Sequence, residues 1–170
     1  IVNYEASPDK NGKEREMEEA KNIAKISTEN PNAKFLIHCG WDHVIEGTPR
    51  DRNWGKAMAG WLKEYTKIDP FTIDQTYYSE KGSPQYNKPY IGMVNLEYPV
   101  IMVDEKGNTF NGGPENDKTD CRIIHPITKY IEERPNWLTL SGDRKLYTIP
   151  QSKITEFPAL VFAYNEGEYE

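Results

Sequence analysis

Cysteine is scarce. Cys39 and Cys121 are the only two in 170 residues, and neither stands in a Cys-x-x-Cys or Cys/His pattern with zinc spacing. A zinc knuckle is excluded by count, and the general burial tendency of cysteine makes two buried free thiols the expectation. Long apolar runs are missing as well. Stretches such as Phe35-Leu36-Ile37 and Pro99-Val100-Ile101-Met102-Val103 fall far short of the roughly 18 residues that a membrane span requires. No Lys/Arg-dense stripe is present, and 21 Lys+Arg stand against 27 Asp+Glu for a net charge of −6. That balance removes the electrostatic term behind most non-specific nucleic-acid affinity, so DNA and RNA are not expected partners. No Gly-x-Ser-x-Gly elbow, P-loop, His-Glu-x-x-His, Gly-x-Gly-x-x-Gly or calcium loop occurs, which sets aside those enzyme classes.

At this length a folded chain hides roughly 70% of the surface that its unfolded form exposes, enough for one core without disulfide staples. A single domain over residues 1–170 is expected. The chain opens at Ile1-Val2-Asn3-Tyr4 without Met or a charged-then-apolar leader, and closes at Tyr164-Asn165-Glu166 and beyond directly after a strand-like run. It reads as a piece of a longer or processed protein, and the missing leader carries no information on compartment.

The turn cluster Ser7-Pro8-Asp9-Lys10-Asn11-Gly12 leads into a helix over Glu14 to Glu29, with Met17, Ala20, Ile23, Ala24, Ile26 and Ser27 as its apolar stripe. Asn30-Pro31-Asn32 stops it. Lys34 to Cys39 is a short continuous apolar run, the pattern of a buried parallel strand. A polar loop from Gly40 to Asn53 precedes a second helix carrying Trp54, Ala57, Met58, Trp61, Leu62 and Tyr65, and Phe71 to Thr76 alternates as a strand. Strand, loop, helix and strand make a right-handed crossover. The second half offers strands at Val94–Leu96 and Tyr98–Val103, a turn at Asp104–Asn108 and a strand at Cys121–Ile124. It also offers a helical turn within Pro126–Glu133, a hairpin through Ser141-Gly142-Asp143 and a last strand at Phe157–Tyr164. The expected class is α/β, with a mainly parallel sheet and a right-handed β-α-β crossover in the first half and antiparallel hairpins in the second.

Ligands of parallel sheets sit at the carboxyl ends of strands, where loops rather than packed faces surround them. His43 lies at such an end in Gly40-Trp41-Asp42-His43 and is the first candidate for a ligand or acid–base residue, the alternative being a loop histidine that only caps backbone groups. Gly40 lets the backbone turn and approach a bound group, Asp42 is placed to fix the imidazole tautomer, and Glu46 is a further carboxylate in reach. Arg15, the only guanidinium in the opening turns of the first helix, can present a planar fork to a carboxylate or phosphate, or pair with its own neighbours. Asp74-Gln75 close the next strand at the same sheet end. Trp41, Trp54, Trp61 and Tyr77-Tyr78 supply aromatic surface, which over a polar cleft suits a sugar or a flat macrocycle, while Trp54 and Trp61 at helical spacing read first as core. His38, between Ile37 and Cys39, reads as a core imidazole hydrogen-bonded to a neighbouring loop, and His125 is biased by Pro126 toward extended backbone.

The run Glu14-Arg15-Glu16-Met17-Glu18-Glu19-Ala20-Lys21-Asn22-Ile23, together with Lys34 to Val44, resembles the erythromycin esterase / ChaN / Tiki (TraB) superfamily. There a helix patterned Arg, acidic, two variable residues and then Met-Ala-x-Asn-Ile precedes a strand ending in Gly-x-x-His. The likeness spans about residues 14 to 76, including Met58-Ala59 and the strand through Gln75. By this resemblance Gly40 and His43 stand for the second Gly-x-x-His, Arg15 for the helix arginine, and Ala20, Asn22 and Ile23 for the end of the helix pattern. Tiki-like members hold a divalent metal for peptide hydrolysis with two such motifs and acidic residues, ChaN-like members bind haem, and erythromycin esterases open a macrolactone. The chain departs from the pattern in carrying a single Gly-x-x-His, so that His43 alone does not complete the three-ligand set of a catalytic zinc site. Position 19 is Glu where the family usually has Met.

The resemblance implies a hydrolase-like domain acting on a small-molecule or peptide substrate, with His43 as metal ligand or acid–base group and Arg15 orienting an anionic group. A haem-binding or other flat-ligand module using His43 with Tyr77 or Tyr78 is the second reading, and a non-catalytic interaction or carbohydrate-binding domain the third. The cofactor implied is a divalent metal or haem, and the location implied by the family is periplasmic or cell-envelope.

Overall fold

Helix α1 runs over Gly12–Glu29 and buries Glu16, Glu19, Ala20 and Ile23. These four positions fall on one stripe at steps of three, one and three, the spacing of a single helix face. The expected apolar stripe is therefore met at Ala20 and Ile23, but its N-terminal end is formed by two carboxylates, with Met17 half-buried. Helix α2, Met58–Thr66, ends where Lys67 takes the left-handed conformation (φ 61°) and returns its N–H to the Lys63 carbonyl. Ala20, Ile23, Met58 and Leu62 form the buried cluster between the two helices, with Tyr4, Ile37, Cys39, Trp61 and Tyr65 packed against it. Full burial of a side chain such as Leu62 contributes about 1.5–3 kcal/mol, so even this small cluster fixes how α1 and α2 meet. Asn22 ties the N-terminal segment to α1, its Nδ2 donating to the carbonyls of Tyr4 (3.1 Å) and Glu5 (3.2 Å).

The computed structural model describes residues 1–93, 95–131 and 134–144. The fold is mixed α/β. Strands β1 (Ile73–Tyr78), β2 (Val100–Ile101) and β3 (Cys121–Ile124) form a sheet in the order β1-β3-β2. The β1–β3 pair is parallel, with Ile73 opposite Cys121 and Asp74 opposite Arg122, and the β2–β3 pair is antiparallel. A mainly parallel sheet built on a crossover is not formed among the described residues. Lys34–Cys39, expected as a buried strand, belongs to no strand. Its side chains explain why: Leu36 is 97% and Phe35 43% exposed, and only Ile37 and Cys39 turn to the core. A parallel strand needs cover on both faces, and this run has it on one.

The expected turn is present at Asp104–Asn108, where Asp104 Oδ1 accepts from the N–H groups of Lys106 and Asn108, Gly107 takes φ 84° and the chain returns through a Val103–Thr109 antiparallel bridge. The strand expected over Tyr98–Val103 shortens to Val100–Ile101. The chain divides into two units, Ile1–Ile127 and Thr128–Glu170. In the second, β4 (Tyr130–Ile131) pairs antiparallel with β5 (Arg134–Pro135) where a helical turn was expected. Asn136–Gly142 then winds as 3-10 turns rather than the first arm of a hairpin, because Leu140 (φ 45°) and Ser141 (φ 58°) leave extended geometry. Val94 and the strands expected at Lys145–Ile149 and Phe157–Tyr164 lie outside the described residues. Among the described residues no helix is long and apolar enough to cross a membrane.

Candidate functional site

The stripe that packs α1 on α2 also fixes the chemistry, because its two charged members cannot be buried alone. Glu16 is fully buried and Glu19 is 1% exposed. Glu16 Oε2 accepts the N–H of Met58 at 2.8 Å, so this carboxylate caps the first turn of α2, whose own N-cap residue, Ala57, has no side chain to do so. The same oxygen lies 2.9 Å from His43 Nδ1, and Glu19 Oε2 lies 3.4 Å from that nitrogen. Glu19 Oε1 accepts from Arg15 Nε at 2.7 Å, one helical turn back. Arg15 also reaches Glu5 at 3.4 Å. His43 and Arg15 thus meet through Glu19.

His43 is carried on a 3-10 turn, Trp41–Val44, in which its N–H returns to the Gly40 carbonyl. The ring folds back over Gly40, where a Cβ would stand 3.1 Å from His43 Cδ2. That approach gives the Gly-x-x-His spacing a physical reason: any side chain at position 40 would push on the ring. Trp54 meets the imidazole edge-on at 6.1 Å between centroids, with its own Nε1 buried and without a hydrogen-bond partner among the described residues.

Electrostatically the cluster holds two carboxylates against one guanidinium. The hydrogen bond that His43 Nδ1 gives to Glu16 raises the pKa of His43 above its ordinary value, and burial opposes the rise only in part. Glu19 is raised as well, chiefly by burial and against the pull of Arg15. Cys39, half-buried behind α1, is pushed to about 11 by burial and by Glu19 and Glu16, so it stays a thiol. One buried oxygen, Glu16 Oε1, has no hydrogen-bond partner among the described residues. The donor atoms of Glu16, Glu19 and His43 lie within 4.8 Å of one another.

Other residues expected at the site are placed differently. Asp42, expected to fix the imidazole tautomer, pairs instead with Arg52, and Glu16 takes that part because α1 brings it to Nδ1 while the 3-10 turn aims Asp42 sideways. Glu46 joins Lys63 (3.0 Å) and the Thr72 hydroxyl (2.9 Å), linking α2 to the start of β1 rather than facing His43. Asp74 stands away from His43, its Oδ1 accepting from Thr76 N and Oγ1 and its Oδ2 lying 3.4 Å from Arg122 Nε, and it lines the cleft that Trp41 borders, while Tyr77 lies under Arg122 at 4.5 Å and Lys88 at 4.6 Å. Trp41 is 57% exposed and lines a separate cleft. His38, expected in the core, is exposed, and among the described residues only its carbonyl is engaged, by the Tyr4 hydroxyl at 2.6 Å. His125 is held below its ordinary pKa by burial and does not border that cleft.

Sequence reasoning missed Glu16 and Glu19. The signal was there: they share the i, i+3, i+4, i+7 stripe with Ala20 and Ile23, and position 19 is where the resemblance fails. Comparison of the chain with protein-family models, curated proteins and solved structures gives no match.

Proposed function

We propose that the chain is a hydrolase-like domain and that Glu16, Glu19 and His43 hold a divalent cation at its working centre. The observation that carries this reading is the buried Glu16 Oε1, without a hydrogen-bond partner among the described residues, inside a group whose two carboxylates stand against a single guanidinium. Ligand atoms about 2.0–2.1 Å from a metal in tetrahedral or octahedral order lie roughly 3.0–3.4 Å apart. The His43 Nδ1 separations of 2.9 and 3.4 Å match such edges. Two carboxylates and one imidazole leave coordination positions open, as catalytic sites do. A bound divalent cation supplies Lewis-acid polarisation and an acidified water. The protein's own part is positional: Met58 N–H and the core hold Glu16, Arg15 holds Glu19 and faces outward for an anionic substrate group, and Trp54 meets His43 edge-on.

A metal-free acid–base pair is the second reading, favoured by the 2.9 Å Glu16–His43 hydrogen bond. Metal analysis and calorimetric titration of the full chain with Zn²⁺ and Mn²⁺ separate the two. One ion per chain, bound at least about tenfold more weakly by Glu19→Gln and lost in His43→Ala, is the expected result. Hydrolysis of ester or peptide probes that survives chelation and needs His43 would replace the metal reading with the second. No ion uptake and no hydrolysis would remove both.

A further inference from the structure

On the far side of the turn that carries His43 lies a cleft of about 260 Å³, with Ile37, Val44 and Ile73 as its apolar wall and Trp41, His38 and Gln75 at its edge. None of Glu16, Glu19 or His43 lines it. Trp41 is a large aromatic surface left 57% exposed at the mouth of a concavity, where burial would have been worth more than that of any other side chain type. His38 and Gln75 are exposed beside it, and among the described residues neither the imidazole nor the carboxamide has a hydrogen-bond partner. Each is a planar group that both donates and accepts.

We propose that this cleft is a saccharide-binding subsite, in which a pyranose ring stacks on Trp41 and its hydroxyls meet His38 and Gln75. A pyranose presents an apolar C–H face and a polar rim. The indole face suits the first, and two unengaged planar side chains suit the second. Drug-sized ligands occupy pockets of roughly 300–1,000 Å³, so a cleft slightly smaller takes one ring rather than a macrocycle. A purely apolar ligand would leave the rim groups facing nothing. The proposal does not rest on the metal reading, since no residue of the Glu16–Glu19–His43 group lines the cleft.

The test is titration of the full chain with methyl β-glucopyranoside, methyl α-mannopyranoside and N-acetylglucosamine, followed by ligand-observed NMR and tryptophan fluorescence. At least one should bind saturably with Kd on the order of 1–10 mM, as a single ring with few contacts can. Excess EDTA should leave the binding unchanged. Trp41→Ala should weaken it about tenfold, Trp41→Phe should keep most of it, and Gln75→Ala should weaken it about threefold, both positions being exposed enough for the variants to fold. Absence of saturable binding up to about 50 mM, equal binding by Trp41→Ala and the parent chain, or binding of indole with no binding of any glycoside each overturns the proposal.

Discussion

Arg122 in β3 and Glu16 in α1 are the two largest fully buried side chains among the described residues, and both belong to charged types. Arg122 donates from Nη1 to the Gly112 carbonyl (2.6 Å) and from Nη2 to that of Pro114, and lays its guanidinium over Tyr77 at 4.5 Å. Its Nε stands 3.4 Å from Asp74 Oδ2, close enough for an ion pair though misaligned for a hydrogen bond. Gly113 (φ 116°) lets the loop wrap this closely, since a Cβ there would strike Nη1. One cation faces one anion and two carbonyls. Around Glu16 the count differs, with two carboxylates drawing on Arg15 and His43 and one oxygen left over. The first arrangement is balanced in charge, although Arg122 Nε, like Glu16 Oε1, makes no hydrogen bond among the described residues, and it holds the loop at 112–114 to the sheet. The second keeps acceptor capacity for something more.

The strongest way to break this comparison is to remove one charge from each group. Arg122→Met should lower unfolding free energy by about 3–5 kcal/mol, because Asp74 and two carbonyls lose a buried partner, while the folded fraction binds metal as before. Urea denaturation reads the first and calorimetry the second. Glu19→Gln should do the reverse: stability within about 1 kcal/mol of the parent, since one of two crowded carboxylates is gone, but metal affinity reduced at least about tenfold. If Glu19→Gln costs as much stability as Arg122→Met and leaves metal uptake alone, both groups are structural.

Gly40→Ala comes next in size. The added methyl would stand 3.1 Å from His43 Cδ2, tighter than ordinary contact. The φ of −66° at Gly40 is open to any residue, so the ring alone must give way. A loss of about 1–2 kcal/mol is expected, together with a shifted His43 resonance, checked by denaturation and NMR. A silent Gly40→Ala would mean that Gly-x-x-His has no steric basis here.

What the sequence revealed was what is local. The two helices and the strand Cys121–Ile124 follow from periodicity and breakers, and His43 from a short motif after an apolar run. Glu16 and Glu19 escaped because carboxylates are assigned to water by default, even on a stripe shared with Ala20 and Ile23. The β1–β3 pairing escaped because it joins segments about 48 positions apart, as the Thr72–Asp120 contacts show. The partner that local sequence suggests for His43 is its neighbour Asp42, whereas the carboxylate that meets it stands 27 positions away.

Metal-free chain should show the unsatisfied group in its pH dependence. His43, raised above its ordinary value of 6.5, contributes stability that is present below the unfolded pKa and lost as pH rises through the folded one. Glu19, raised above 4.5 by burial, acts in the same sense: the folded state keeps the proton longer than the unfolded chain, so stability is lost as pH climbs through the raised value. The contribution of these two groups to unfolding free energy should therefore fall from about pH 4.5 upward and continue to fall past about pH 6.5, while His125, held below 6.5 by burial, acts in the opposite sense below that value. Relative to the parent, Glu19→Gln should flatten the lower part and His43→Gln the upper. Parallel curves for parent and both variants would place the two groups outside the linkage.

The smallest effect is assigned to Asp42→Asn. Its Oδ2 meets Arg52 Nε at 2.5 Å, and Arg52 is nearly half exposed, so screening by solvent leaves about 0.5 kcal/mol or less to lose. Asparagine keeps an acceptor for Arg52 and removes only the charge. Arg52 in turn lies over Trp54 at 5.6 Å, and Trp54 edges His43, so any influence on the imidazole passes through two contacts. The His43 NMR titration should be unmoved by Asp42→Asn and strongly moved by Glu16→Gln. Equal displacement by the two would make Asp42 an orienting carboxylate after all, and the contrast between a balanced charge group in the sheet and an open one under α1 would lose its foundation.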